Sequence, residues 1–174
     1  MLKGKRVVLC PIEPEHLPAY VRWFADIEVL EYFGLFRPMN LAQEQAWYER
    51  QNQEPDSINF AVEFDGRHIG GTGLRLHDHK NQSAEAGLFI GEKDLWNQGL
   101  GQDILSTLVG YGFANLNLHR IYLRVFAENA RGIHAYEKVG FVHEGRFREA
   151  EWRHGRWHDM LFMSILKQEW EARR

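Results

Sequence analysis

Cysteine is nearly absent, and neither charge is in surplus. Cys10 is the single cysteine in 174 residues, which excludes an intrachain disulfide and fits a reducing cytoplasm. It lies in an apolar run and reads as a core residue. The formal net charge is -3, so the total asks for no nucleic-acid partner. Arg146, Arg148, Arg153 and Arg156 are interleaved with Glu144, Glu149 and Glu151, as on a solvated strand pair. No run is long and apolar enough to span a membrane, and the N-terminal residues lack a signal-peptide pattern. The five prolines are scattered, with no low-complexity linker, internal repeat or second core.

What remains is an ordinary globular composition, 44% hydrophobic and 26% charged, long enough for a substantial core. Residues 6–12 read as a strand. Leu17, Tyr20, Val21 and Phe24 recur at helical spacing within a helix over 13–24. A short helix over 26–33 closes at Gly34, a loop covers 35–38, and a third helix covers 41–53 with Ala42, Ala46 and Trp47 inward. Strands follow at 59–64 and 67–77, joined by the hairpin turn Asp65-Gly66. The next strand covers 84–90, a long helix about 99–115, a strand 121–126 and a short helix 129–139 ended by Gly140. Two last strands cover 141–148 and 157–165, with His154-Gly155-Arg156 between them. This order predicts a mixed α/β layer with a meander at its centre, not a doubly wound fold.

The stretch Leu95-Trp96-Asn97-Gln98-Gly99-Leu100-Gly101-Gln102-Asp103 joins the strand 84–90 to the long helix. A helix start carries backbone N–H groups without intrahelical partners and the positive end of the dipole. Glycines there remove side chains that would keep an anion away. The turn suits a phosphate or pyrophosphate, although glycines at a helix start also serve plain tight turns. It is no P-loop, because Gln102 and Asp103 follow Gly101 where Lys-Ser/Thr would stand. It is no dinucleotide fingerprint, which needs a third glycine and an early βαβ context.

Asn129-Ala130-Arg131-Gly132-Ile133-His134-Ala135-Tyr136-Glu137-Lys138-Val139-Gly140-Phe141 is the more specific signal. Together with Trp96-Asn97-Gln98-Gly99-Leu100-Gly101 it resembles the GNAT superfamily of acetyl-CoA-dependent N-acetyltransferases. Within that superfamily it is closest in look to the branch of ribosomal-protein N-terminal (Rim type), polyamine and some aminoglycoside 6′-N-acetyltransferases. The resemblance covers nearly the whole chain and implies one acetyltransferase domain over residues 1–174. It implies a mostly antiparallel mixed sheet with a splayed parallel strand pair and helices on both faces. The family turn opens with Gln or Arg, whereas Trp96 stands here and Gln98 directly precedes Gly99, a departure common in the Rim-like branch.

The resemblance further implies that the N–H groups of about Gln98, Gly99, Leu100, Gly101, Gln102 and Asp103 hold the pyrophosphate of acetyl-CoA. Leu88, Phe89 and Ile90 then align its pantetheine arm by strand-like pairing. Tyr136 matches the family's general acid, and Asn129 either contacts the cofactor amide or caps its own helix. Glu85 is the leading base candidate; the plain alternative is a solvent-facing strand residue. Glu31 and Tyr32 stand where relatives build the acceptor pocket, although Glu31 also reads as helix-surface charge. Trp23, Phe33, Phe36 and Trp47 form either an apolar acceptor pocket or simple core. No metal is expected: neither His77-Asp78-His79 nor His154 with His158 has a matched third ligand.

The expected reaction moves acetyl from acetyl-CoA to a primary amine, either a protein N-terminus or a small amine such as a polyamine or aminoglycoside. The alternative is a non-catalytic acyl-CoA-binding or sensing module on the same fold. Dimerisation through the final strands or a helix face is common in the family, but nothing in these residues requires it.

Overall fold

The computed structural model describes residues 1–35 and 37–173, apart from the side chain of His77. Phe36, one of the four aromatics considered for an acceptor pocket, therefore lies outside the described residues, as does the His77 imidazole.

The strands are β1 (Leu2–Lys3), β2 (Val7–Pro11), β3 (Ser57–Phe64), β4 (Arg67–Asp78), β5 (Ser83–Ile90), β6 (Arg120–Phe126), β7 (Val142–Arg153) and β8 (Arg156–Leu166). They form one sheet in the order β1-β2-β3-β4-β5-β6-β8-β7. The helices are α1 (Leu17–Phe24), α2 (Ile27–Leu30), α3 (Leu41–Gln51), α4 (Leu100–Asn115), α5 (Ala130–Val139) and α6 (Lys167–Glu171). The fold is thus the expected mixed α/β layer. The β3–β4 turn is built as its Asp-Gly dipeptide predicts: Asp65 and Gly66 take φ of 49° and 73°, the double left-handed turn that matches strand twist. His154 and Gly155, at 49° and 77°, repeat the device between β7 and β8.

Neighbouring strands are antiparallel except β5 and β6. That parallel pair is registered only at Ser83↔Arg120, Ala84↔Ile121 and Glu85↔Tyr122. Beyond Glu85, β5 continues to Ile90 on β4 alone, and β6 continues to Phe126 on β8 alone. The sheet therefore opens into a gap with Leu88, Phe89 and Ile90 on one wall.

One face is covered by α4. Its Ile104, Leu105, Leu108 and Val109 are fully buried, recurring at the spacing that keeps one helix face inward. They pack on Ala84, Ile121, Met163 and Ile165 of the sheet. Burying each such aliphatic side chain is worth about 1.5–3 kcal/mol. The other face carries α1 to α3 over a second core rich in rings: Tyr20, Trp23, Phe24, Phe33, Trp47 and Phe89.

Four local expectations change. The first helix is preceded by a 3-10 turn at Pro14–His16, and the second shrinks to four residues. In α3 the buried residue is Glu44, while Ala42 and Ala46 are exposed. The inward face carries Glu44, Trp47 and Tyr48, rotated from the expected one because the large rings reach the second core. β7 runs five residues past its expected end, to Arg153, with a bulge near Glu149 at φ 50°.

Candidate active site

A cleft of about 530 Å³ lies along the splayed gap. Leu88, Phe89 and Ile90 from β5 line it, as do Gly99 to Gln102 at the start of α4 and Asn129 and Tyr136 of the α5 segment. Tyr32 and Phe33, just after α2, close one side. Four sequence elements that are distant along the chain therefore meet at one opening.

The turn before α4 is shaped by two left-handed residues, Asn97 at φ 61° and the N-cap Gly99 at φ 78°. A Cβ on Gly99 would meet nothing within 4 Å, and one on Gly101 would meet only Leu88 Cδ1 at 3.9 Å. The glycines thus leave open space in front of the helix rather than serving close packing. The N–H groups of Leu100, Gly101 and Gln102 begin the helix and have no intrahelical acceptor. Asp103 N–H is already committed to the Gly99 carbonyl at 3.3 Å, so the open donors stop at Gln102.

The side chains of two residues in this turn are committed elsewhere. The Asp103 carboxylate accepts from the backbone N–H groups of Lys5 (2.9 Å), Arg6 (2.7 Å) and Val7 (3.0 Å). It ties the N-terminal segment to the first turn of α4. Gln98 donates its amide to the Asp94 carbonyl at 2.8 Å, and its own carbonyl accepts from Arg6 Nη1. Neither side chain lines the cleft.

On α5, the Asn129 side chain accepts from Gly132 N–H at 2.9 Å; it is the N-cap. Tyr136 is half-buried, and burial pushes its phenol up to about 12, against a smaller downward pull from the Arg131 guanidinium. It stays protonated through the physiological range.

The acceptor side is more crowded with charge. Glu85 sits at the last paired position before the splay and accepts from Arg124 Nε at 2.8 Å. Glu28 and Asp26 share Lys93 Nζ, each at 2.8 Å. Tyr32 packs its ring 5.9 Å from Phe126, and burial together with the Glu31 carboxylate raises its pKa. Glu31 is exposed and lies outside the cleft lining, as does Glu85. Trp23 and Trp47 belong to the second core; among the described residues of that aromatic group, Phe33 alone lines the cleft.

Sequence reasoning missed Arg131 and Trp96. The Arg131 guanidinium lies 3.9 Å over the Trp96 ring, and the indole Nε1 donates to the Ile90 carbonyl at 2.8 Å. A tryptophan at the position where the family carries Gln or Arg therefore bridges β5 and α5, with a cation stacked on it. The signal was present: Arg131, His134 and Lys138 share one face of α5 at helical spacing, and all three line the cleft.

Cys10, His16 and Glu63 bring possible metal-ligand atoms within 4.8 Å of one another. They fit a metal poorly. His16 Nδ1 accepts the Glu13 N–H at 2.9 Å, which leaves the ring's proton on Nε2. Burial and the neighbouring Glu63 push the Cys10 thiol up to about 11, away from the thiolate a metal needs.

A sheet opened at its single parallel pair, with a glycine-led helix at the mouth, defines an acetyltransferase fold. The acetyltransferase (GNAT) domain family matches residues 6–142, and the chain belongs to that family. It is 28% identical over 174 residues to the N-acetyltransferase p20 of Bacillus licheniformis, covering 97% of each chain. It is 30% identical to the spermidine N(1)-acetyltransferase of Escherichia coli K12 over 172 residues, covering 99% of this chain and 92% of that one. The crystal structure of the Vibrio cholerae spermidine N-acetyltransferase with CoA and spermine superposes with a TM-score of 0.90 at 25% identity, over 97% of this chain and 99% of that one. The protein is an acyltransferase of the N-acetyltransferase type, and acetyl-CoA is the family's co-substrate. Among the described residues, no helix is long and apolar enough to cross a membrane.

Proposed function

We propose that residues 1–174 work as one domain that transfers acetyl from acetyl-CoA to a primary amine by direct attack on the thioester. The observation that carries the reading is the splayed gap, which runs from the open N–H groups of Leu100 to Gln102 to the Tyr136 phenol. In this reading those N–H groups, with Gly99 leaving the space, hold the pyrophosphate. The edge of Leu88 to Ile90 pairs with the pantetheine amides, and Asn129 caps α5 beside them.

The amine attacks the carbonyl carbon as its free base. A lysine-like amine, pKa about 10.4, has roughly one molecule in a thousand neutral near pH 7.4, a cost of about 4 kcal/mol; an α-amine near 8 costs far less. Glu85, which stands outside the cleft lining, accepts through water the proton released as the C–N bond forms. One of its oxygens is committed to Arg124, which suits an acceptor that needs little help. The C–S bond then breaks. With a phenol near 12 and a thiol of about 8.5, Tyr136 contributes a hydrogen bond to the departing thiolate rather than full protonation.

The acceptor that fits best is the α-amine of a peptide. Two carboxylates near the opening already hold cations, Glu28 with Lys93 and Glu85 with Arg124, while Glu31 is exposed. A polycation would have to displace them. The relatives that act on spermidine make that amine the comparison substrate.

The test begins with calorimetric titration of acetyl-CoA into the wild type and Gly99→Glu. The expected result is micromolar affinity, about -8 kcal/mol, lost in the variant because its carboxylate enters the open space. Absence of binding to the wild type would sink the reading. CoA release is then followed with spermidine and with peptides bearing free N-termini. Higher kcat/KM for a peptide supports the α-amine; preference for spermidine overturns that choice and leaves acetyl transfer standing.

A further inference from the structure

The arginines near the end of the chain read as solvated strand charge, and one of them is not. Arg153, at the tip of the β7–β8 hairpin, reaches across to α2. Its Nη1 donates to the Leu30 carbonyl at 2.9 Å and its Nη2 donates to the Phe33 carbonyl. Its guanidinium carbon stands 5.5 Å from the Phe126 ring centre, the ring that also packs on Tyr32. The Arg153 carbonyl accepts from Nε2 of His158 at 3.3 Å. His158 is 6% exposed, and its Nδ1 contacts Glu128, the residue next to Asn129.

The reason for the contact is local. The Leu30 carbonyl already accepts from the Phe33 N–H at 3.0 Å and takes Arg153 on its second lone pair, while the Phe33 carbonyl lies past the helix end. The guanidinium is a planar fork with donors spaced to take two oxygens at once, which an ammonium cannot reproduce. Burial lowers the Arg153 pKa from the ordinary arginine value, so the group gives up solvent to make this contact. The hairpin tip is otherwise peripheral. Trp152 and Trp157 beside it are 57% and 55% exposed, and neither hydrophobic core includes the tip.

We propose that Arg153 is a positioning residue for the acceptor: it fixes the turn Glu31-Tyr32-Phe33, whose last two residues wall the cleft shared with Tyr136. It touches neither substrate. The consequence for turnover rests on the acetyl-transfer reading above. A loose wall leaves the acetyl-CoA contacts of β5, α4 and α5 in place and degrades only the amine's approach.

Arg153→Met and Arg153→Lys test this, with spermidine and a free-N-terminus peptide as acceptor probes. Amide exchange is measured over residues 27–34 without substrates, along with acetyl-CoA affinity and steady-state kinetics. In Arg153→Met, exchange over 27–34 should accelerate while acetyl-CoA affinity stays within about twofold. Acceptor kcat/KM should fall about 10- to 100-fold, mainly through acceptor KM. Arg153→Lys, which keeps the charge and one donor direction, should recover part of that loss. Unchanged exchange, unchanged acceptor kcat/KM, or an equal loss of acetyl-CoA affinity each overturns the proposal. Wild-type protein that turns over neither probe fails the underlying reading instead, an outcome separate from a normal wild type with an unaffected variant.

Discussion

The two faces of the sheet are packed by different chemistries. Beneath α4 the core is almost wholly aliphatic, with Leu100, Ile104, Leu105, Leu108 and Val109 at 0–1% exposure. Across the sheet, the core under α1 to α3 is built from rings and holds groups that prefer water. The Tyr20 hydroxyl is buried without a hydrogen-bond partner. Glu44 is buried with a raised pKa. His68 is held neutral by burial and by His16, with its pKa lowered to about 4. The side assigned here to the co-substrate is thus packed for rigidity, and the side assigned to the acceptor is less well satisfied. A cofactor common to a family asks for one fixed cradle, whereas an acceptor pocket has to vary among relatives on the same scaffold.

Mutation tests that contrast in decreasing order of effect. Leu108→Ala truncates a fully buried side chain and should cost about 3–4 kcal/mol of unfolding free energy. Urea denaturation measures this, and a cost below that of aromatic truncations across the sheet would break the comparison. Tyr136→Phe should lower kcat about 10- to 100-fold, the worth of one hydrogen bond to a charged group, while calorimetric acetyl-CoA affinity holds, because only the thiolate contact is removed. Unchanged kcat would take Tyr136 out of the chemistry.

His68 gives a pH signature confined to the ring-rich face. Its folded pKa of about 4 lies below the ordinary histidine value of 6.5, so as pH falls the unfolded chain takes the proton first. The stability it contributes is complete above pH 6.5 and is lost as pH falls towards 4, about 1–2 kcal/mol after allowance for its partial exposure. His68→Gln should flatten the dependence of Tm on pH across that window. Tyr20→Phe is the smallest change. It deletes an unsatisfied hydroxyl and should be neutral or stabilising by up to about 1 kcal/mol; a clear destabilisation would mean that the hydroxyl has a hydrogen-bonding role after all.

Local patterns made most of this architecture legible. The apolar period of α4, the Asp65-Gly66 turn, Gly140 as C-cap and the alternation in β6 each depend on neighbours within a few residues. The glycine-led turn was marked by its spacing and Tyr136 by the family resemblance, and both line the cleft. What sequence could not show were pairings across long separations. Nothing near Asp103 announces that its carboxylate binds the N–H groups of Lys5 to Val7. Nothing near Arg153 points to Leu30, 123 residues away. Glu44 reads as a surface charge because its burial is decided by ring sizes on other elements. The two-residue β1, paired to β2 through Leu2↔Leu9 and Lys3↔Val8, is too short to leave any pattern.

The strand order carries a consequence for how the protein is made. β7 emerges from the ribosome before β8, yet its neighbour in the finished sheet is β8, which also separates it from β6. Until residues 156–166 have been synthesised, β6 presents an open edge and β7 has nothing to pair with. The nascent chain therefore passes through an interval with two unsatisfied edges, the condition that invites association with other chains. A ribosome stalled or a message truncated just before the final strand would release a species prone to aggregate, even though every residue lining the cleft had already been made.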